Sequence, residues 1–146
     1  MNRKNICLLL LFFLASPIVR AQIPLLELSA DFYRIEAEVA ADPQGRQRGL
    51  MHRRQMPPNQ GMLFVFPETG RYCMWMRNTF IPLSVAFLDE NGRIINIEDM
   101  QAKTDDNHCA ARPARYALEM NLGWFSKKEI RAGSRIGGIE KAPRPR

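Results

Sequence analysis

The fold is decided by the segment PLSVAFLDENGRIINIEDM, residues 82–100. It holds two apolar runs, one around Val85 and Phe87 and one formed by the isoleucines of residues 94–97. Between them stands Asn91-Gly92, which supplies the left-handed backbone positions that a tight hairpin turn requires. The segment therefore predicts two antiparallel strands joined by a short turn.

A third strand is predicted upstream, in the segment DFYRIEAEVA at residues 31–40. Ile35, Ala37 and Val39 alternate there with charged side chains, which is typical of a strand with one buried and one wet face. Next, Asp42 can accept hydrogen bonds from the free amides of a helix that begins at Pro43. Glycines at two later positions limit this predicted helix to two or three turns.

The other predicted elements are short and are separated by proline and glycine. Further strands are predicted at GMLFVF (61–66, ended by Pro67), YCMWMRNTF (72–80), RYALEM (115–120) and SRIGGIE (134–140), and a second short helix at 123–133. A long irregular stretch is predicted at 101–113. Together they predict a mainly β fold, a compact sandwich or a partly closed barrel with two short helices, whose strand order the sequence does not give.

The first 21 residues predict a secretory signal peptide. Basic residues precede an apolar run at 6–14, and Val19-Arg20-Ala21 fits the small-x-Ala pattern before a cleavage point. The run is shorter than the ~20 residues that cross a bilayer, which argues against a retained anchor. We therefore expect a signal peptide at 1–21, one β domain at 22–140 and a basic tail at 141–146. The expected location is periplasmic or secreted, with membrane contact only through the signal peptide before its cleavage.

Charge gives little support for a nucleic-acid partner. Removal of Arg3, Lys4 and Arg20 with the signal would leave 18 basic residues against 15 acidic ones, a net charge of +3. Most of this excess lies in the tail, and no basic stripe interleaves with aromatic residues. We expect a solvated tail, and no nucleic acid among the partners.

Two cysteines, Cys73 and Cys109, remain after cleavage. An even number in an oxidising compartment predicts a disulfide, which would also fasten the long irregular stretch around Cys109. The alternative is a reactive thiol at Cys109, activated by the neighbouring His108.

Four motifs in order resemble the family called domain of unknown function 192 (DUF192): RGLMHR, MPPNQGMLFVF, MWMRNTFIPLSVAFLDENGRI and ARYALEMNLGWF. The resemblance covers most of the mature chain and implies a compact, mainly β fold that is often exported. It implies no established activity. The chain departs from the family at Ser84, where an Asp usually follows Ile-Pro-Leu, and at Ser134, where Gly-Asp is common. The first departure argues against a catalytic acid or metal ligand at position 84.

The candidate site is centred on the segment YCMWMRNT, residues 72–79. As a strand it would place Cys73, Trp75, Arg77 and Thr79 on one side. In a binding site Trp75 would stack against a ligand, Arg77 would hold an anion and Asn78 would fix its orientation. The structural alternative is that Asn78 only satisfies the backbone at a bend. The predicted ligand-binding set consists of Met51, Arg53, Trp75, Arg77, Asn78, Thr79 and Glu119, and we expect it to surround one hollow.

Glu119 stands out as a carboxylate in an apolar strand, where a buried acid needs a partner. A structural clamp with Arg53, Arg77 or Arg112 is the first interpretation. The second is a hydrolase-type general acid or base acting with His52 or His108.

A third hypothesis is a periplasmic Cu(I) or redox protein, because thioethers, histidines and a cysteine are soft ligands. The methionines are spread over apolar segments, so core packing explains them more simply. No spacing typical of other metal sites occurs, and we predict no cofactor. The sequence favours a non-catalytic binding module for a cell-envelope protein, glycan or small ligand over an enzyme.

Overall fold

The computed structural model describes residues 25–146, so the signal peptide predicted at 1–21 lies outside the described residues. Nine strands and two short α-helices are formed within the described part, followed by a 3₁₀ turn at Ile139–Lys141. The strands are β1 Leu26–Ala30, β2 Tyr33–Ala40, β3 Gln60–Gly70, β4 Cys73–Met74, β5 Leu83–Leu88, β6 Ile94–Met100, β7 His108–Cys109, β8 Ala114–Asn121 and β9 Ile136–Gly137, and the helices are α1 Pro43–Arg48 and α2 Trp124–Lys127.

Seven strands form one curled sheet in the order β6-β5-β8-β3-β2-β1-β9. Neighbours are antiparallel except β2 and β3, which run parallel. The two ends of the sheet meet, because Arg93 and Arg135 form a bridge and the amide of Ile136 donates to the carbonyl of Gly92 at 2.8 Å. The fold is therefore mainly β, with a partly closed barrel as its architecture.

Apolar side chains cover both faces of the curled sheet. The inner cluster is formed by Leu28, Ile35, Leu63, Leu118 and their neighbours, and it is closed by Trp124 and Phe125 of α2. The outer cluster contains Phe64, Val85 and Phe87 and is covered by Leu50, Met56 and Met76 from outside the sheet. Strand β5 is buried along its whole length, and it is consequently apolar at every position except Ser84 instead of alternating.

Several local predictions are confirmed. Residues 83–100 form the antiparallel pair β5–β6, with Gly92 at φ 75° in the turn. In β2, Ile35 and Ala37 are fully buried. The carboxylate of Asp42 accepts from the amide of Gly45 at 2.9 Å, so Asp42 caps α1 as predicted.

Two local predictions are wrong. The segment 72–80 is a strand only at Cys73–Met74, because the chain then turns, with Asn78 at φ 58°. Met76 thus becomes fully buried while Trp75 stays 42 % exposed, so the expected alternation of faces does not hold. Strand β3 also continues past Pro67 to Gly70, with an irregular register after Val65 that accommodates the proline.

The predicted disulfide is present. Cys73 of β4 and Cys109 of β7 lie opposite each other and are bonded. Asn96 of β6 donates to the carbonyl of Cys109 and accepts from the amide of Ala111, which fastens this two-stranded sheet to the barrel. The bond thus ties the irregular stretch 101–113 to the segment that leads into Trp75.

The basic tail returns to the domain at its end, where the amide of Arg146 donates to the carbonyl of Ala41 at 2.8 Å. In the part of the chain that the structure describes, no helix combines the length and apolarity that a membrane crossing demands.

Candidate functional site

Glu119 lies in the middle of β8, between Met62 of β3 and Val85 of β5. Its side chain belongs to the outer face of the sheet, and the residue is 4 % exposed. Burial in these apolar surroundings raises the pKa of Glu119 to about 8, because the charged form loses its hydration. The carboxyl group is therefore neutral at pH 7 and carries a proton that it can donate.

The arginine clamp expected for Glu119 is wrong. Arg53 pairs with Glu38, at 2.5 Å, and Arg77 pairs with Asp105, at 2.9 Å. Among residues 25–146, no ion pair or hydrogen bond is formed by the Glu119 carboxyl or by the guanidinium of Arg112. The buried acid is thus accommodated as a neutral group, without a counter-ion.

A small cavity of about 30 Å³ opens above Glu119, and we call it the Glu119 hollow. This volume is enough for one or two water-sized groups, since a single water needs roughly 10–15 Å³. It is lined by Arg46, Gln47, Arg48, Gly49, Leu50, Met51, Phe64, Met74, Trp75, Thr79 and Glu119. Its walls are polar and apolar in about equal parts, and two of the lining residues, Thr79 and Glu119, are buried polar ones.

One wall is formed by the end of α1 and the turn that follows it. Gly49 lies at φ 47°, a left-handed conformation that favours glycine, and directs Leu50 and Met51 toward the sheet. Arg46 fixes this wall, because its guanidinium donates to the carbonyl oxygens of Ala41 and Val65 at 2.7 and 3.1 Å. Arg46 therefore serves the scaffold and is not available to Glu119.

The opposite wall is the turn at residues 74–79. Thr79 is buried, its amide donates to the carbonyl of Met76, and its carbonyl accepts from the amide of Lys103. The two walls are joined by the amide of His52, which donates to the carbonyl of Asn78 at 2.8 Å. Both His52 and Asn78 have positive φ, 65° and 58°, so each wall turns sharply at the point of contact. Asn78 thus has the bend role expected in the structural alternative.

Aromatic rings lie exposed beside the hollow. The Trp75 ring is covered on one side by the guanidinium of Arg77, at 4.3 Å from the ring centroid. Phe80, 37 % exposed, packs edge-to-face against His52 with a centroid distance of 5.6 Å. The ion pair with Asp105 and the contact with Trp75 hold Arg77 in place.

The structure brings together four of the predicted residues: Met51, Trp75, Thr79 and Glu119 line the hollow. Arg77 lies on the Trp75 ring and Asn78 lies in the turn, while Arg53 lines a neighbouring groove instead. The prediction missed the other seven lining residues, which are Arg46, Gln47, Arg48, Gly49, Leu50, Phe64 and Met74. Arg48 is the first residue of the RGLMHR motif, so that motif could have indicated it, whereas Phe64 carried no signal beyond an apolar strand.

Neither histidine lines the hollow. His52 faces Phe80 and a neighbouring groove, and His108 pairs in β7 with Met74. The Nε2 atom of His108 is buried without a hydrogen-bond partner among the described residues. Within the same residues no cluster of three His, Cys, Asp or Glu side chains could hold a metal ion.

Ser84, the departure from the family pattern, lies away from the hollow. Its hydroxyl donates to the Asp99 carboxylate at 2.5 Å and accepts from the amide of Gly123 at 2.8 Å, just before α2. Its neighbour Val85 faces the outer cluster with Glu119, so alternation directs Ser84 to the other face of the sheet. The residue at position 84 therefore supports the start of α2.

Comparison with known proteins gives a family and two related structures. The model of the DUF192 family, described as "Uncharacterized ACR", matches residues 26–138. A crystal structure of a candidate transcription regulator from Sinorhizobium meliloti 1021 is 36 % identical, with a TM-score of 0.71 over 75 % of this chain and 88 % of that chain. A protein of unknown function from Novosphingobium aromaticivorans DSM 12444 is 27 % identical, with a TM-score of 0.72 over 83 % and 89 % of the two chains. No curated protein matches the chain.

Proposed function

The chain belongs to the DUF192 family, and we propose that it is an exported, non-catalytic binding module that recognises a cell-envelope glycan through the Glu119 hollow. In this proposal an apolar sugar face packs against Trp75, and a sugar hydroxyl enters the hollow and accepts a hydrogen bond from the Glu119 carboxyl group. The basis for export is the predicted signal peptide at residues 1–21.

The observation that carries the proposal is the convergence, on one small cavity, of an exposed indole and a buried carboxyl that has no partner among residues 25–146. Burying an acid without a partner destabilises a fold, so a residue retained at that cost has a use outside packing. A hollow of this size excludes a whole ligand, but it admits one hydroxyl of a larger molecule bound at the surface.

The geometry favours binding over hydrolysis. A general acid or base must reach the reacting group, usually beside a second catalytic residue that activates the nucleophile. The hollow lacks a histidine among the described residues that line it, and its small volume keeps a scissile bond away from the carboxyl. The Cu(I) alternative loses its thiolate ligand, since Cys73 and Cys109 are bonded to each other.

The proposal is tested by measuring binding to an array of cell-envelope oligosaccharides with wild type, Trp75→Ala and Phe32→Ala. Loss of the indole should weaken binding about tenfold, since aromatic stacking contributes about 1–1.5 kcal/mol. Phe32 is a second exposed aromatic residue, and it lies in the β1–β2 turn. Its removal should therefore leave binding unchanged. Binding of no oligosaccharide, or equal binding by the two variants, would overturn the proposal.

DNA binding is the rival function, because the Sinorhizobium meliloti relative is described as a candidate transcription regulator. A mobility-shift assay with genomic DNA fragments at physiological salt separates the two. Retarded DNA together with no oligosaccharide binding would favour the regulator.

A further inference from the structure

A second, larger groove adjoins the Glu119 hollow. It has a volume of about 400 Å³ and lies between β2 and the turn that follows α1. Its lining is Glu38, Val39, Ala40, Gly45, Arg48, Gly49, Met51, His52, Arg53 and Met62. Arg48, Gly49 and Met51 line both spaces, so the hollow and this groove, which we call the Arg48 groove, meet along one short segment.

The Arg48 groove has an excess of positive charge. Arg53 is neutralised by Glu38, and these two side chains are 30 % and 13 % exposed. Arg48 is exposed, and within residues 25–146 its guanidinium has neither an ion pair nor a hydrogen bond. A cation at the junction of two connected spaces is placed to bind an anion that spans them.

The shape of the site excludes the usual ways of binding a peptide. Strands β2 and β3, which flank the groove, are each paired on both sides, so neither offers an edge to an added strand. The hollow is also too small for a leucine or an aromatic side chain. An amphipathic helix needs an apolar groove, whereas this one carries two arginines and a histidine.

We propose that the ligand is an anionic oligosaccharide, with one sugar on Trp75 and in the Glu119 hollow and a carboxylate or phosphate substituent bound by Arg48 in the adjoining groove. This inference rests on the proposed function and adds the charge of the ligand and its direction along the surface. The sugar contacts are shared by neutral and acidic oligosaccharides, while the pair with Arg48 is made by acidic ones alone.

The test compares three sets of oligosaccharides of equal length: neutral, uronic-acid-containing and phosphorylated. Affinities are measured by titration calorimetry for wild type, Arg48→Gln, Trp75→Ala and the control Arg131→Gln. Arg131 is an exposed arginine in the loop after α2. Its replacement removes one positive charge, as Arg48→Gln does, but at a position distant in sequence from the residues that line the groove. Thermal unfolding of each variant shows whether its fold is kept.

The expected result is that wild type binds an acidic set at least tenfold more tightly than the neutral one. Arg48→Gln should remove this preference by weakening the binding of the acidic set, whereas Trp75→Ala should weaken the binding of the acidic and the neutral set alike. The preferred acidic set identifies carboxylate or phosphate as the anion. Equal binding of neutral and acidic sets, or the same loss with Arg131→Gln, would overturn the inference while leaving the proposed function intact. If no set binds, both fall.

Discussion

Glu119 shows how a single residue can carry a functional hypothesis. An ionised carboxylate in this position would need a cation, and two of the arginines expected to supply it, Arg53 and Arg77, are already engaged with other acids. Protonation removes the need for a counter-ion, which is consistent with the apolar neighbours Met62 and Val85. The residue therefore enters the site as a hydrogen-bond donor and not as a charge.

This state predicts a pH dependence of stability. The unfolded chain releases the Glu119 proton near the ordinary pKa of 4.5, while the folded protein keeps it up to a pKa of about 8. The folded state thus holds one more proton between these values, so its free energy of unfolding should fall as the pH rises through this window. The slope is at most about 1.4 kcal/mol per pH unit. Urea unfolding at pH 5, 6, 7 and 8 measures it.

Glu119→Gln should abolish this contribution and make the protein more stable than wild type at pH 8. Glu68→Gln is the matched control, because Glu68 is exposed and its replacement should leave the slope unchanged. The titration of Asp42 does not affect the slope between pH 5 and 8. The Gly45 amide lowers the pKa of Asp42 below its ordinary value of 3.8, so its contribution is lost only at more acidic pH. An unchanged slope in Glu119→Gln would show that the carboxyl is not held neutral.

At the scale of elements, one wall of the site depends on a two-stranded sheet whose strands are very short. Strands β4 and β7 contain two residues each, and their pairing is reinforced by the Cys73–Cys109 bond and by Asn96. Met74 and Trp75, which line the hollow, follow Cys73 directly. The position of one wall of the site is therefore coupled to the disulfide.

Replacing both cysteines by serine should destabilise the protein by roughly 3–4 kcal/mol, as chain entropy predicts for a loop of this size. The cysteines are 36 residues apart, and the closed loop includes the β5–β6 hairpin. Urea unfolding with and without dithiothreitol measures the effect, since the reductant should weaken wild type and leave the variant unchanged. The variant should also bind the ligand more weakly. A variant as stable as wild type would show that the hydrogen bonds of Asn96, His52 and Lys103 hold the wall without the disulfide.

At the scale of the whole molecule, the sequence predicted a mainly β fold and offered a partly closed barrel as one of two architectures, but it did not give the contacts that close the sheet. Alternation in residues 33–40, the Asn91-Gly92 turn and the Asp42 cap act locally, so each could be identified from its own neighbours. The pairing of β9 with β1 and its contact with the β5–β6 turn join distant segments, which no local pattern encodes. The strand predicted at 72–80 was wrong for a related reason, because the burial of Met76 and the left-handed conformation of Asn78 are set by tertiary packing.

The candidate site was predictable to the same degree. Trp75 and Glu119 are conspicuous in the sequence because an exposed indole and a buried acid both violate the expected pattern. That they share a hollow depends on the fold of α1 and the following turn over β8, which brings Met51 beside them. Arg48 belongs to the RGLMHR motif, but its place between two cavities follows only from the fold.

Closure of the barrel can be tested at Gly92, where the two ends of the sheet meet. Gly92 has φ 75°, and a Cβ atom placed there would lie 2.6 Å from the carbonyl oxygen of Ile136. Gly133 has a similar φ of 91°, but a Cβ there would have no neighbour within 4 Å. Replacing either glycine by alanine imposes a left-handed alanine, at roughly 1–3 kcal/mol. Only Gly92→Ala also separates the hydrogen bond between the Ile136 amide and the Gly92 carbonyl.

Gly92→Ala should therefore lower the free energy of unfolding by about 1–2 kcal/mol more than Gly133→Ala, as expected when a buried backbone hydrogen bond is lost. Hydrogen exchange locates the effect, because the amide of Ile136 should lose protection in Gly92→Ala and keep it in Gly133→Ala. Amides in the middle of β3 and β8 should stay protected in both variants. Equal stability of the two variants would mean that the contact between residues 92 and 136 adds nothing to the free energy of unfolding.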